Sequence, residues 1–126
     1  MSKKHSARFL AIVESKRASV TEVSVGQVLG FMADNVGFQF IDVREREEWE
    51  SGHIDGAIHL SKGIIERDIE GVIADPTAVL VLYCGGGFRS VLAASALHAM
   101  GYSNAVSMAG GWRAWCAAKA VTAHSK

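Results

Sequence analysis

The stretch that most restricts the fold is Ala78 to Tyr83 (AVLVLY), six apolar residues in a row with nothing polar alternating among them. A strand with one wet face alternates apolar and polar residues. An unbroken run is expected of a strand covered on both faces, as in a parallel sheet with helices above and below. Asp75-Pro76 precedes the run, and it leads directly into Cys84-Gly85-Gly86-Gly87-Phe88-Arg89.

The remaining pattern alternates helix and strand. From Ser6 to Lys16, Phe9, Leu10, Ile12 and Val13 share one helical face. Val20, Val23 and Val25 suit a short edge strand. Val25 to Asn35 follows as a helix, with Gly37 expected as its C-terminal glycine cap. Phe38 to Val43 (FQFIDV) reads as a strand and Arg44 to Glu50 (REREEWE) as a charged helix, a solvated face with Trp49 turned inward. Ala57 to Leu60 is a third strand. Ile64, Ile65, Ile69, Val72 and Ile73 mark an amphipathic helix closed at Asp75-Pro76. After the AVLVLY strand come a helix from Ser90 to Met100 capped by Gly101, a fifth strand from Ala105 to Met108, a Gly110-Gly111 turn, and a final helix from Trp112 to Ala120. Five short strands separated by helices predict an α/β fold, a five-stranded parallel sheet flanked by helices on both faces.

Composition narrows the class. At 126 residues the chain buries roughly two thirds of its unfolded surface, enough for one core. Thirteen basic residues balance thirteen acidic ones, so there is no basic footprint for nucleic acid. Hydrophobic residues make up 49% of the chain, which excludes acidic disorder. Two cysteines, Cys84 and Cys116, are too few for a disulfide scaffold and point to a reducing compartment. No apolar run reaches membrane-spanning length, so no membrane partner is expected. Lys3, Lys4 and Arg8 precede only a short apolar stretch, Phe9 to Val13, which makes a poor secretory signal. Glu14 and Glu22 argue against a transit peptide. The expected location is the cytoplasm.

Chemistry in an open parallel sheet gathers beyond the carboxyl ends of the strands. The Cys84–Arg89 loop has that position. Its glycines let the backbone turn N–H groups toward one point, and the helix that follows adds unpaired N–H groups and the positive end of its dipole. With the permanent cation of Arg89, these favour a thiolate at Cys84 over a thiol. The expectation is a nucleophilic cysteine in an anion-binding cradle of Gly85, Gly86, Gly87, Phe88, Arg89 and Ser90.

Four motifs in order carry a resemblance to the single-domain rhodanese sulfurtransferases, over about residues 20 to 120. They are Asp42-Val43-Arg44-Glu45, the segment Gly52-His53-Ile54-Asp55-Gly56-Ala57-Ile58-His59-Leu60, the Cys84–Arg89 loop, and Gly110-Gly111-Trp112. On this reading residues 1–19 are an N-terminal helical extension, 20–120 the domain, and 121–126 a C-terminal tail. The resemblance implies covalent catalysis in two steps. Cys84 takes the outer sulfur of a donor such as thiosulfate as a persulfide, then yields it to cyanide or a thiol, free or on a protein. It implies no metal and no organic cofactor. Loop N–H groups would stabilise the anionic persulfide, and Arg89 would hold donor oxygens by paired hydrogen bonds. Many thiosulfate-using members carry a basic residue just after the cysteine. Glycine stands there in this chain, which makes a persulfide donor more credible. Phosphatases of similar fold place five residues between cysteine and arginine, whereas four separate Cys84 from Arg89.

Other conspicuous residues read more plainly. Asp42 and Arg44 are expected to support the loop rather than enter the chemistry. His53 and His59 are taken as hydrogen-bonding struts. Phe88 either walls the pocket or anchors the loop in the core. Ser90 either donates into the cradle or caps the next helix, and capping is the simpler role. Cys116 is read as a bystander thiol rather than a resolving cysteine. The alternative to an enzyme is a binding module of the same fold with little turnover, although such a module has no physical need of both Cys84 and Arg89.

Overall fold

A computed structural model describes residues 5–124, leaving Lys3 and Lys4 outside the described residues. The elements follow in order as α1 (Ala7–Arg17), β1 (Glu22–Val23), α2 (Val25–Ala33), β2 (Gln39–Asp42), α3 (Arg46–Glu50), β3 (Ile58–His59), α4 (Ile65–Val72), β4 (Leu80–Tyr83), α5 (Arg89–Ala99), β5 (Ala105–Met108) and α6 (Gly111–His124). The five strands form one parallel sheet in the order β1-β5-β4-β2-β3. The AVLVLY run therefore supplies the central strand, as its lack of alternation predicts.

Each face of β4 enters a different core. Leu80, Leu82 and Cys84 join Ile41, Val43, Ile65, Ile69, Val91, Leu97 and Val13 in one cluster, covered by α1, α4 and α5. Val81 and Tyr83 join Val28, Phe40, Met108 and Trp115 in the other, beneath α2 and α6. With apolar layers on both sides, any polar group along β4 is buried and needs a partner, and the one present, the Tyr83 hydroxyl, accepts the Ile54 N–H at 3.1 Å.

Local chemistry sets most helix ends. Ser24 caps α2 in a reciprocal box: the Gln27 N–H donates to Ser24 Oγ at 3.0 Å and the Ser24 N–H to Gln27 Oε1 at 2.8 Å. The far end of α2 departs from expectation. Asn35, not Gly37, takes the left-handed conformation (φ 57°). The Val36 N–H then closes on the Phe31 carbonyl at 2.9 Å and the Asn35 N–H on that of Met32 at 3.2 Å. Asparagine tolerates this backbone better than other residues with a side chain, so the glycine two positions on was not needed as a cap. The last helix starts one residue before Trp112 and continues past Ala120 to His124, so residues 121–124 of the expected tail are helical. Residues 125–126 of that tail lie outside the described residues. The edge strands β1 and β3 are two residues long, and each has a partner on one side only.

Candidate active site

β4 ends at Tyr83, and the chain turns at once into the Cys84–Phe88 loop and α5. This sets the loop at the carboxyl edge of the central strand, with β2 and β5 on either side. Cys84 is 1% exposed. Its Sγ accepts a hydrogen bond from the Gly87 N–H at 3.1 Å and lies 3.5 Å from Ser90 Oγ. Among the described residues, none accepts the N–H groups of Gly85, Gly86, Phe88, Arg89 or Ser90. Gly87 sits at φ 102°, and a Cβ there would stand 3.0 Å from the Gly110 nitrogen, so only glycine closes this turn without strain.

Ser90 does not cap α5. Phe88 occupies the cap position, and Ser90, fully buried, reaches Ser107 Oγ at 2.8 Å as well as the cysteine sulfur. The two serines satisfy each other inside an apolar cluster, which is what buried hydroxyls require. Ser107 was not singled out in the sequence; the only signal was a serine within the otherwise apolar strand Ala105–Met108.

The loop is clamped by the start of α6. The Trp112 N–H donates to the Cys84 carbonyl at 2.7 Å and the Arg113 N–H to that of Gly85 at 3.1 Å. These are two of the N–H groups a helix leaves unpaired in its first turn. Gly111 has to be glycine here, because at φ 54° a Cβ would run into the Cys84 carbonyl oxygen. Asp42 ends β2, and Arg44 follows two residues on. They form a fully buried pair, Arg44 Nη2 to Asp42 Oδ2 at 2.7 Å and Arg44 Nε to Asp42 Oδ1 at 3.0 Å. Arg44 also donates to the Gly52 carbonyl at 2.7 Å and lies 4.9 Å from the Trp112 ring centre. His59 Nε2 donates to the Arg44 carbonyl at 2.8 Å and His53 Nδ1 to that of Trp49 at 2.9 Å, both as struts. The half-buried Trp49 stacks flat on the His53 ring, with centres 3.5 Å apart.

Arg89 has a partner that the sequence reading missed. Its guanidinium grips Glu48 of α3 end-on, Nη1 to Oε1 at 2.7 Å and Nη2 to Oε2 at 2.9 Å. Glu48 Oε1 also accepts the Glu45 N–H at 3.0 Å. The Arg89 hydrogen bonds hold the Glu48 carboxyl at about 2, well below the usual carboxylate range. The cation beside the loop is thus already compensated. Phe88 points away from Glu48 toward α1, where the His5 ring meets it edge-on at 4.7 Å and Phe9 lies at 6.3 Å. Cys116 is exposed on α6, in an open groove with Met32, His53, Trp112 and Lys119.

Among the described residues, no group of three or more His, Cys, Asp or Glu side chains is placed to hold a metal, and no helix is long and apolar enough to cross a membrane.

Comparison with known proteins agrees with this geometry. The sequence model of one family, described as the rhodanese-like domain, matches residues 26–118. The probable adenylyltransferase/sulfurtransferase MoeZ of Mycobacterium tuberculosis is 43% identical over 76 residues, covering 60% of this chain and 19% of MoeZ. The chain thus spans about a fifth of the length of that relative. The thiosulfate sulfurtransferase GlpE of Shewanella oneidensis is 33% identical over 103 residues, 82% of this chain and 99% of GlpE. A solved structure from Rhodopseudomonas palustris, described as a protein of unknown function and possible tyrosine phosphatase, superposes with a TM-score of 0.79. It is 25% identical and covers 94% of this chain and 96% of its own.

Proposed function

The chain belongs to the rhodanese-like domain family, and from that premise we propose that it is a sulfurtransferase working through a persulfide on Cys84. The observation that carries this is the environment of one atom: a buried sulfur bonded by the Gly87 N–H at 3.1 Å, in a loop whose other N–H groups have no acceptor among the described residues. Such groups stabilise negative charge without having to reorganise when it arrives.

In the first step the Cys84 thiolate attacks the outer sulfur of thiosulfate. An S–S bond to Cys84 forms, the S–S bond of the donor breaks, and its electron pair leaves on sulfite. The charge now sits on the terminal sulfur of a Cys84 persulfide, where the N–H groups of Gly85 to Ser90 can receive it. In the second step cyanide or a thiolate attacks that terminal sulfur, and the pair of the Cys84–sulfur bond returns to Cys84. Splitting the transfer this way replaces one encounter of donor and acceptor with two simpler ones. Ser90 and Ser107 hold the cysteine's position from beneath, while Asp42 and Arg44 act through Trp112 as loop support. An organic persulfide is a second class of donor, and the acceptor is a small thiol or one carried by a protein. Residues 20–120 would carry the chemistry, packed against α1 through Val13, in a cytoplasmic protein.

Near-complete coverage of a GlpE thiosulfate sulfurtransferase supports this reading over a binding module. The likeness to a possible tyrosine phosphatase favours a second reading, phosphoryl transfer. Against it stand a loop one residue shorter than the phosphatase spacing and an Arg89 already paired with Glu48. Intact mass spectrometry after incubation with thiosulfate tests the proposal. The expected result is a gain of one sulfur atom, lost on adding cyanide and absent in Cys84→Ser. No adduct from thiosulfate or from any organic persulfide would overturn it, and turnover of an aryl phosphate without such an adduct would establish the phosphatase reading instead.

A further inference from the structure

Arg113 stands at the same loop as Arg89 but is differently placed. Its own N–H fixes it to the Gly85 carbonyl at 3.1 Å. Its guanidinium lies over Gly86: Nη1 and Nη2 are each 3.7 Å, and the central carbon 3.9 Å, from where a Cβ on that residue would stand. Gly86 immediately precedes the residue whose N–H holds the Cys84 sulfur. Arg113 is exposed, and no carboxylate among the described residues lies within ion-pair distance of it. The other two arginines near the site are neutralised, Arg44 by buried Asp42 and Arg89 by Glu48. One uncompensated cation therefore stands over the loop that holds the sulfur, and Gly86 beneath it adds no side chain between them.

We propose that Arg113 selects the donor: it holds the anionic oxygen-bearing end of a sulfur donor, such as the sulfonate of thiosulfate, over Gly86 while the outer sulfur meets Cys84. This rests on the sulfur-transfer reading above. The chemistry follows from the donor. Thiosulfate brings two negative charges to a loop whose Arg89 is already paired, and the departing sulfite keeps both. A planar guanidinium offers parallel N–H groups matched to two oxygens of such an anion. In the second step no sulfonate is present, so Arg113 has its main effect on loading.

The test compares loading of Cys84 from thiosulfate with loading from an alkyl persulfide, which has no sulfonate, read as kcat/KM for each donor in wild type, Arg113→Ala and Arg113→Lys. In Arg113→Ala the ratio of thiosulfate to alkyl-persulfide efficiency is expected to fall about tenfold, the size of one charge-assisted contact to the sulfonate. Arg113→Lys keeps the charge but loses the paired geometry, and its ratio is expected to fall between the two. A ratio within twofold of wild type in Arg113→Ala, whether or not both rates drop together, would overturn the inference, since a merely structural role would affect both donors alike. A wild-type protein that loads from neither donor would overturn the sulfur-transfer reading itself and the inference with it.

Discussion

On one flank of the Cys84 loop the contacts are polar and directional: the first N–H groups of α6 on the Cys84 and Gly85 carbonyls, the buried Asp42–Arg44 pair behind Trp112, and Arg89 gripping Glu48. On the other flank Phe88 is held by packing, against His5 and Phe9 and under the guanidinium of Arg17 at 5.9 Å. Hydrogen bonds fix direction but tolerate little displacement, whereas packed rings fix position and leave orientation looser. The side that must aim its groups at a sulfur atom uses the first kind of contact. The side that only has to keep the loop in place uses the second.

The sharpest way to break this contrast is Asp42→Ala. It leaves the Arg44 cation buried and unpaired, and a loss of about 3–5 kcal/mol is expected in urea unfolding at neutral pH. A loss below about 1 kcal/mol would show that the polar flank does not depend on this pair. Phe9→Ala acts on the other flank. Phe9 is partly buried, so a cost of about 1–2 kcal/mol is expected. Amide exchange should quicken at Val91, whose N–H donates to the Phe88 carbonyl, while the Trp112 and Arg113 N–H groups on the Cys84 and Gly85 carbonyls keep their protection, and equal loosening of both would show that the flanks act as one unit. The smallest effect belongs to Glu48→Gln. Its partner Arg89 is half-buried and the pair is screened by solvent, so less than about 1 kcal/mol is expected at pH 7. Because the folded state holds Glu48 below its ordinary value of 4.5, at about 2, its contribution is present above pH 4.5 and is lost as pH falls toward 2. The stability gap between wild type and variant should therefore close across that window. A gap that persists at pH 2 would show that it does not arise from this ion pair.

The contrast also explains which features could be read in advance. The sheet was legible because a strand wet on neither face leaves an unbroken apolar run, and the loop because cysteine, glycines and arginine are adjacent in the chain. Glu48 and Ser107 were not legible. They meet their partners across separations of 41 and 17 residues, and nothing in REREEWE or AVSM distinguishes a residue that will face the loop from one that faces solvent. Arg113 is next to a recognisable Gly-Gly-Trp motif, but its place over Gly86 depends on where α6 begins. The Gly37 expectation failed for a local reason, since Asn35 can adopt the same left-handed backbone.

Val13 is 1% exposed, packed in the cluster that contains Leu80, Leu82 and Cys84, although it precedes the family's matched span of residues 26–118. A recombinant fragment cut to that homology outline would lose a wall of its own interior, along with the edge strand Glu22–Val23 that pairs with β5. The unit that inherits as a family and the unit that folds are therefore drawn along different lines, and any shortened version of this protein should begin upstream of Val13.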